Sequence, residues 1–383
     1  MEITNCHVHT FTQAHTPDRF LPWPVPLLVR IPLIRRLLSW VARVFDRERK
    51  GALGRYAQII ETSYKRTQRD VFEIVRGFYP ESTRFVLLPM DMTKMNAGGV
   101  AAGIDDQHAE VAALRGAYPD SIVIPFAAVD PRHDGIVEKT IALIEQHDFR
   151  GLKLYPPTGY HPYDQRLWPL YEYAQEHNLP VLTHCSRPAS VQYRGKPTVE
   201  MRTDPVTGEL LHIGRFELLT RFTDPDAYVP LLEKYPRLRV CLAHFGGAGD
   251  WTRYLDNPWH SATDMPNKSW LAKILDMLRS GNHPNLWTDI SYTLYASDEH
   301  VYLLKVLLSD PRVSSRALFG SDFYVVENAE LEERRRSVRL RAVLGEDVFD
   351  AIVRENLKRF FGETWSDTST SAAASPKARA ASG

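Results

Sequence analysis

Apolar residues along this chain follow two alternating patterns, and the alternation predicts the fold. Largely apolar runs of strand length recur at 3–11, 84–91, 121–130, 151–156, 179–185, 238–245, 285–291 and 316–322. They are rich in Val, Ile, Leu and Phe, as strands covered on both faces are. Between them, apolar residues recur three and four apart, as with Val71, Ile74, Val75 and Phe78 in the stretch 61–79. That spacing predicts an amphipathic helix. Further helices are predicted over 104–118, 136–147, 167–177, 228–235, 269–278 and 299–308, with a closing pair at 331–343 and 347–361.

Eight strand–helix units imply parallel strands joined by crossover helices, and eight are what closes an α/β (β/α)8 TIM barrel. An open doubly wound sheet would place a Gly-rich phosphate turn after its first strand, and His7-Val8-His9 stands there instead. Two insertions interrupt the alternation, about 12–60 after strand one and about 186–223 after strand five. The expected organisation is one barrel domain over 1–362 with extra C-terminal helices. The tail 363–383 is mostly Ser, Ala and Thr without apolar period, and is expected to be disordered.

Composition narrows the function classes. Of 383 residues, 44% are hydrophobic and 25% charged, and Lys plus Arg equals Asp plus Glu at 47 each. No bulk field draws the chain to nucleic acid or an anionic membrane. Cys6, Cys185 and Cys241 are three, so they cannot all pair, and each lies inside a predicted strand. A reduced, cytoplasmic setting is expected, and the N-terminus enters its first strand with no charged leader and apolar run. The stretch 21–45 is apolar but broken by Arg30, Arg35, Arg36 and Arg43 and by four prolines, which excludes a spanning helix. It is expected to cap the barrel mouth, with a homodimer contact or a peripheral membrane surface as alternatives.

Candidate chemistry gathers at the C-terminal ends of the strands, where such barrels carry their reactive groups. In a strand, residues two apart face the same side, so His7 and His9 project together. Lys153 ends strand four, His184 strand five, His244 strand six and Asp322 strand eight. Imidazoles and a carboxylate suit a divalent ion: zinc first, with manganese or iron as alternatives. Any one of these residues is as easily a hydrogen-bonded core histidine or a capping aspartate. A whole set at matching strand ends points to a shared centre. Asp289 and Ser291, at the end of strand seven, could hydrogen-bond a ligand or an imidazole, or cap the strand.

These residues sit in the pieces NCHVHTF, GLKLYP, LPVLTHCS, LAHFGG, TDIS and LFGSDF, followed by RENLKRFFG. In that order they resemble the amidohydrolase superfamily, within it the amidohydrolase-related group that includes aminocarboxymuconate-semialdehyde decarboxylase. The resemblance spans about 1–362 apart from the insertions. It implies that His7, His9 and His184 hold a metal, with Asp322 as fourth ligand and proton acceptor from a metal-activated water. It implies that His244 polarises a carbonyl or assists proton transfer. Lys153 is then either a carboxylated bridge to a second metal, with His244 as its ligand, or a free ammonium for a substrate carboxylate, and one metal is the expectation. In the second insertion, Arg187, Arg194, Lys196 and Arg202 face the single acid Glu200, with Tyr193 among them. Arg187, Tyr193 and Arg194 are therefore candidate contacts for an anionic, carboxylated small molecule, or else a solvated loop. The expected activity is hydrolysis of a C–N or C–O bond. The runner-up is non-oxidative decarboxylation of an aromatic or unsaturated acid, and a non-catalytic metal protein comes third.

Overall fold

The computed structural model describes residues 2–21, 31, 33–34, 59–119, 122–188, 190–257, 268–293, 297–324 and 333–362. Most of the stretch 21–45 and the whole tail 363–383, on which expectations were placed, lie outside the described residues.

Every predicted strand is present in shorter form. They are β1 (Thr4–Val8), β2 (Arg84–Leu87), β3 in two segments (Val123–Pro125 and Ala127–Val129), β4 (Leu152–Leu154), β5 (Val181–Thr183), β6 (Val240–Leu242), β7 (Leu286–Asp289) and β8 (Ala317–Leu318). Neighbours pair in parallel and in sequence order. Across the break in β3, the Phe126 N–H still donates to the Leu87 carbonyl at 3.0 Å. The first and last strands also meet. Cys6 N–H donates to Phe319 O and Asp322 N–H to His7 O, both at 2.9 Å, and Val8 bridges Phe323. That contact closes the barrel and carries Asp322 to the side of His7.

Side chains fill the lumen in place of a pore. Cys6, Val86, Ile124, Phe126, Leu182, Cys241, Trp287 and Leu318 form one buried cluster with Leu357 and Phe360 of the last helix, Asn356–Phe361. The last helix thus plugs the end opposite the strand C-termini. Gly151 makes room for this packing, since a Cβ there would lie 2.5 Å from the Phe126 ring.

Several predicted elements are divided or displaced. The helix expected over 61–79 is interrupted, and its second part starts at Gln68 because Thr67 caps it, with Asp70 returning the bond. The final helix is a chain of Glu346–Asp350, a π-helical Ala351–Glu355 and Asn356–Phe361. The Gly- and Trp-containing segment after His244 holds the helix Ala248–Asp256. The second insertion is a small cap with helices Val199–Arg202 and Arg215–Thr223 around its own cluster of Met201, Leu211, Leu218, Leu219 and Phe222. No helix among the described residues is long and apolar enough to cross a membrane. Cys6, Cys185 and Cys241 are buried and unpaired.

Candidate metal centre

The strand ends bring His7, His9, Lys153, His184, His244 and Asp322 into one cluster. Each imidazole is anchored through one nitrogen and offers the other. His9 Nδ1 lies 2.8 Å from the Leu88 carbonyl, and His7 Nδ1 lies 3.0 Å from Asp289 Oδ2. His184 Nε2 sits 2.9 Å from Ser186 Oγ, and His244 Nδ1 sits 2.9 Å from Ser291 Oγ. The opposite nitrogens converge. His7 Nε2 and His9 Nε2 are 3.2 Å apart, and Asp322 Oδ1 is 3.4 Å from the first and 3.2 Å from the second. His244 Nε2 lies 3.1 Å from His184 Nδ1. Lys153 Nζ reaches within 3.3 Å of His7 Nε2.

Those anchors test whether a cation fits. A carbonyl and a carboxylate only accept, so the Nδ1 atoms of His7 and His9 carry hydrogen and their Nε2 atoms are bare in the neutral rings. Two bare nitrogens and a carboxylate oxygen then face one another in a buried space, and Lys153 Nζ reaches only His7 Nε2 among the two nitrogens, whereas buried acceptors without partners are costly. A divalent cation among them satisfies all three at once, and the donor set suits zinc, manganese or iron. Ligand atoms of His7, His244 and Asp322 also lie within 4.8 Å of one another.

Electrostatics keep the donors in their binding forms. Burial lowers the His7 imidazole well below its ordinary value, with the Lys153 charge adding to it. Burial does the same to His184, helped by His244, and it lowers His244 too. For Asp322, burial pushes the carboxyl up, but the surrounding imidazoles of His244, His9 and His7 outweigh it and hold it down to about 2. Burial brings the Lys153 ammonium down to about 8 against the opposing pull of Asp322.

Local backbone aims two of these groups. His244 and Asp322 both adopt positive φ, 65° and 60°, a conformation that costs a residue with a Cβ and recurs at functional sites. The His244 backbone is held by Asp289 Oδ1, which accepts its N–H at 3.0 Å, and by Thr293 Oγ1, which donates to its carbonyl at 2.5 Å. The register of β1 against β2 also shifts between Asn5 and Val8. Cys6 packs in the lumen cluster, and His7, next in sequence, reaches the centre.

The three candidates from the second insertion are occupied elsewhere. Arg187 donates to both oxygens of buried Asp250, at 2.8 and 3.1 Å, and lies over the Trp270 ring at 4.7 Å. It lines a cleft of about 670 Å³ with His161, Tyr163 and Trp270, and none of the clustered histidines lines that cleft. Arg194 donates to the carbonyls of Arg19 and Phe20, at 2.6 and 2.8 Å, tying the second insertion to the first. The Tyr193 hydroxyl donates to the Lys196 carbonyl at 3.3 Å.

Other buried groups near the strand ends were not singled out from sequence. The Tyr155 ring packs on His184 with centroids 4.6 Å apart, and burial with the Asp322 charge raises its phenol. Buried Asp91 binds His133 at 2.6 Å, and buried Asp130 binds Arg132. Both acids end predicted strands, the same signal that marked Asp322.

A family model described as Amidohydrolase matches residues 78–362. No curated protein matches the chain. Among solved structures, a TIM-barrel protein of Bordetella bronchiseptica is 16% identical, with 94% of this chain and 98% of that one covered and a TM-score of 0.55. A probable 2-pyrone-4,6-dicarboxylic acid hydrolase from Acinetobacter baumannii, solved with citric acid bound, is 13% identical over 94% and 100% of the chains, TM-score 0.54. These likenesses establish the barrel. The family match begins after His7 and His9, so their place beside the other groups rests on the closing of β1 onto β8. With the match running through His184, His244 and Asp322 to the last helix, the chain belongs to the amidohydrolase superfamily of enzymes.

Proposed function

We propose that this enzyme is a metal-dependent hydrolase that cleaves a C–N or C–O bond of a small carboxylated molecule. His7, His9, His184 and Asp322 would hold a single divalent ion, zinc as first choice. A second metal held by Lys153 and His244 is the rival arrangement. When bound, such an ion supplies Lewis acidity, polarising a carbonyl and acidifying water. The observation that carries the reading is the buried Asp322 carboxylate lying 3.4 Å from His7 Nε2 and 3.2 Å from His9 Nε2. A carboxylate there accepts a proton from the attacking water and returns it to the departing nitrogen or oxygen as the bond breaks. His244 assists as an acceptor at Nε2. Lys153 binds the substrate carboxylate as a compact cationic donor.

Elemental analysis of the purified protein comes first, then a panel of amides, hydroxybenzoates and lactones, including 2-pyrone-4,6-dicarboxylic acid. Metal-dependent release of an acid without carbon dioxide is expected. Release of carbon dioxide would replace this reading with the decarboxylase, in which Asp322 or His244 protonates the carbon. Asp322→Asn is expected to keep most of the metal and to lose turnover by roughly 10²- to 10⁴-fold. Near-normal turnover in that variant removes Asp322 from its role.

A further inference from the structure

Asp289 and Ser291, just beyond the metal-holding set, touch both of its functional halves. Both are fully buried. Asp289 Oδ1 accepts the His244 backbone N–H and the Ser291 backbone N–H, each at 3.0 Å, and the Ser291 hydroxyl as well. Its Oδ2 faces His7 Nδ1 at 3.0 Å and the Cys241 thiol at 3.9 Å. A carboxylate offers about four acceptor positions, and here they are filled.

Ser291 Oγ has one hydrogen to give, and Asp289 Oδ1 is its nearest acceptor. Its remaining lone pairs face His244 Nδ1 at 2.9 Å and His7 Nδ1 at 3.2 Å. An oxygen that has already donated can only accept from those two nitrogens. Both therefore carry hydrogen, and both rings present a bare Nε2 to the centre.

We propose that Asp289 and Ser291 form one positioning clasp, which fixes the tautomer of a metal-holding imidazole (His7) and of the imidazole that works on substrate (His244) through one shared hydroxyl. The assignment rests on the metal-centre reading and deepens it, because metal retention then depends on Asp289 and the set of His244 on Asp289 and Ser291 together. The two arms separate. His7 keeps Asp289 Oδ2 when the hydroxyl is removed, whereas His244 Nδ1 loses the only side-chain partner it has among the described residues. Ser291→Ala should therefore release His244 and leave His7 largely in place. Asp289→Asn should weaken both, since an amide cannot accept at both of its ends.

The test uses the full-length protein with zinc alone and ¹⁵N-histidine labelling. Ring ¹⁵N–¹H correlation spectra should report His7 and His244 of the wild type as Nδ1–H tautomers. In Ser291→Ala the His244 signal should lose that preference, with zinc affinity, measured by chelator competition, changed less than about threefold. In Asp289→Asn affinity should fall by roughly 10- to 100-fold, the range seen when partners of a ligand histidine are removed. An Nε2–H tautomer of His244 in the wild type, or an unchanged His244 signal in Ser291→Ala, overturns the clasp. Equal zinc affinity in wild type and His7→Ala overturns instead the metal-centre reading, and the tautomer spectra still decide the clasp by themselves.

Discussion

At the scale of single residues, Gly320 shows how closely the centre is built. A Cβ there would stand 2.7 Å from the His7 Cβ and 3.2 Å from the Ser291 Cβ. Gly320→Ala must push one of them aside, so it is expected to weaken zinc binding by more than tenfold and to cost about 1–3 kcal/mol of stability, as small-to-large changes in packed interiors do. Chelator competition and urea unfolding measure the two effects, and unchanged zinc affinity would show that His7 is free to shift. The sequence made the candidate donors legible because His184, His244 and Asp322 fall at the ends of largely apolar strands, where a polar group needs a reason, and His7 and His9 stand two apart in the first strand. It did not make their aim legible. His244 and Asp322 adopt positive φ although neither is glycine, and only the partners of their backbone, which are distant in sequence, hold them there. For Arg187 and Arg194 the charge was legible and the partners were not. A basic loop looks available to an anion until its carboxylate and carbonyl partners are known.

At the scale of elements, the barrel strands were readable because each is covered on both faces and so reads as a continuous apolar run. Their lengths were not, since the apolar run continues past the last ladder bond in β6 and β8. The cap formed by the second insertion was missed as structure. Its helices bury Leu218, Leu219 and Phe222 against each other and Met201, a pattern too short to stand out beside the barrel units. Arg194 fastens this cap to the first insertion through the carbonyls of Arg19 and Phe20, while its own N–H donates to Met95 O at 2.9 Å. Removing the guanidinium leaves the barrel core untouched. Arg194→Ala is therefore expected to raise hydrogen exchange and protease cleavage across 186–223 while the melting temperature stays nearly constant, because local opening draws on the weakly held end of a structure. A large drop in melting temperature would mean that the cap is part of the global unfolding unit.

At the scale of the whole molecule, a chain of formal net charge +0 has little bulk self-repulsion at neutral pH, so its acid stability depends on individual buried groups. His108 is one that lies away from the metal centre. It is buried on the helix Ile104–Ala117 and accepts the Ala128 backbone N–H at Nε2, 3.0 Å away. That bond needs the nitrogen bare. Burial lowers the ring from 6.5 to about 4, against the weaker pull of Asp105 and Asp91. A base whose folded value is depressed binds its proton first in the unfolded chain. Its stabilising effect is complete above 6.5, is lost as pH falls from there toward 4, and does not change further below that. One proton taken up on unfolding corresponds to about 1.4 kcal/mol per pH unit inside this window. His108→Gln offers Ala128 an amide oxygen that does not titrate. Urea unfolding at intervals between pH 7 and pH 4.5 should give a stability slope flatter than that of the wild type by close to one proton. Parallel slopes would mean that His108 already carries its proton in the fold, with the Ala128 N–H directed to another acceptor.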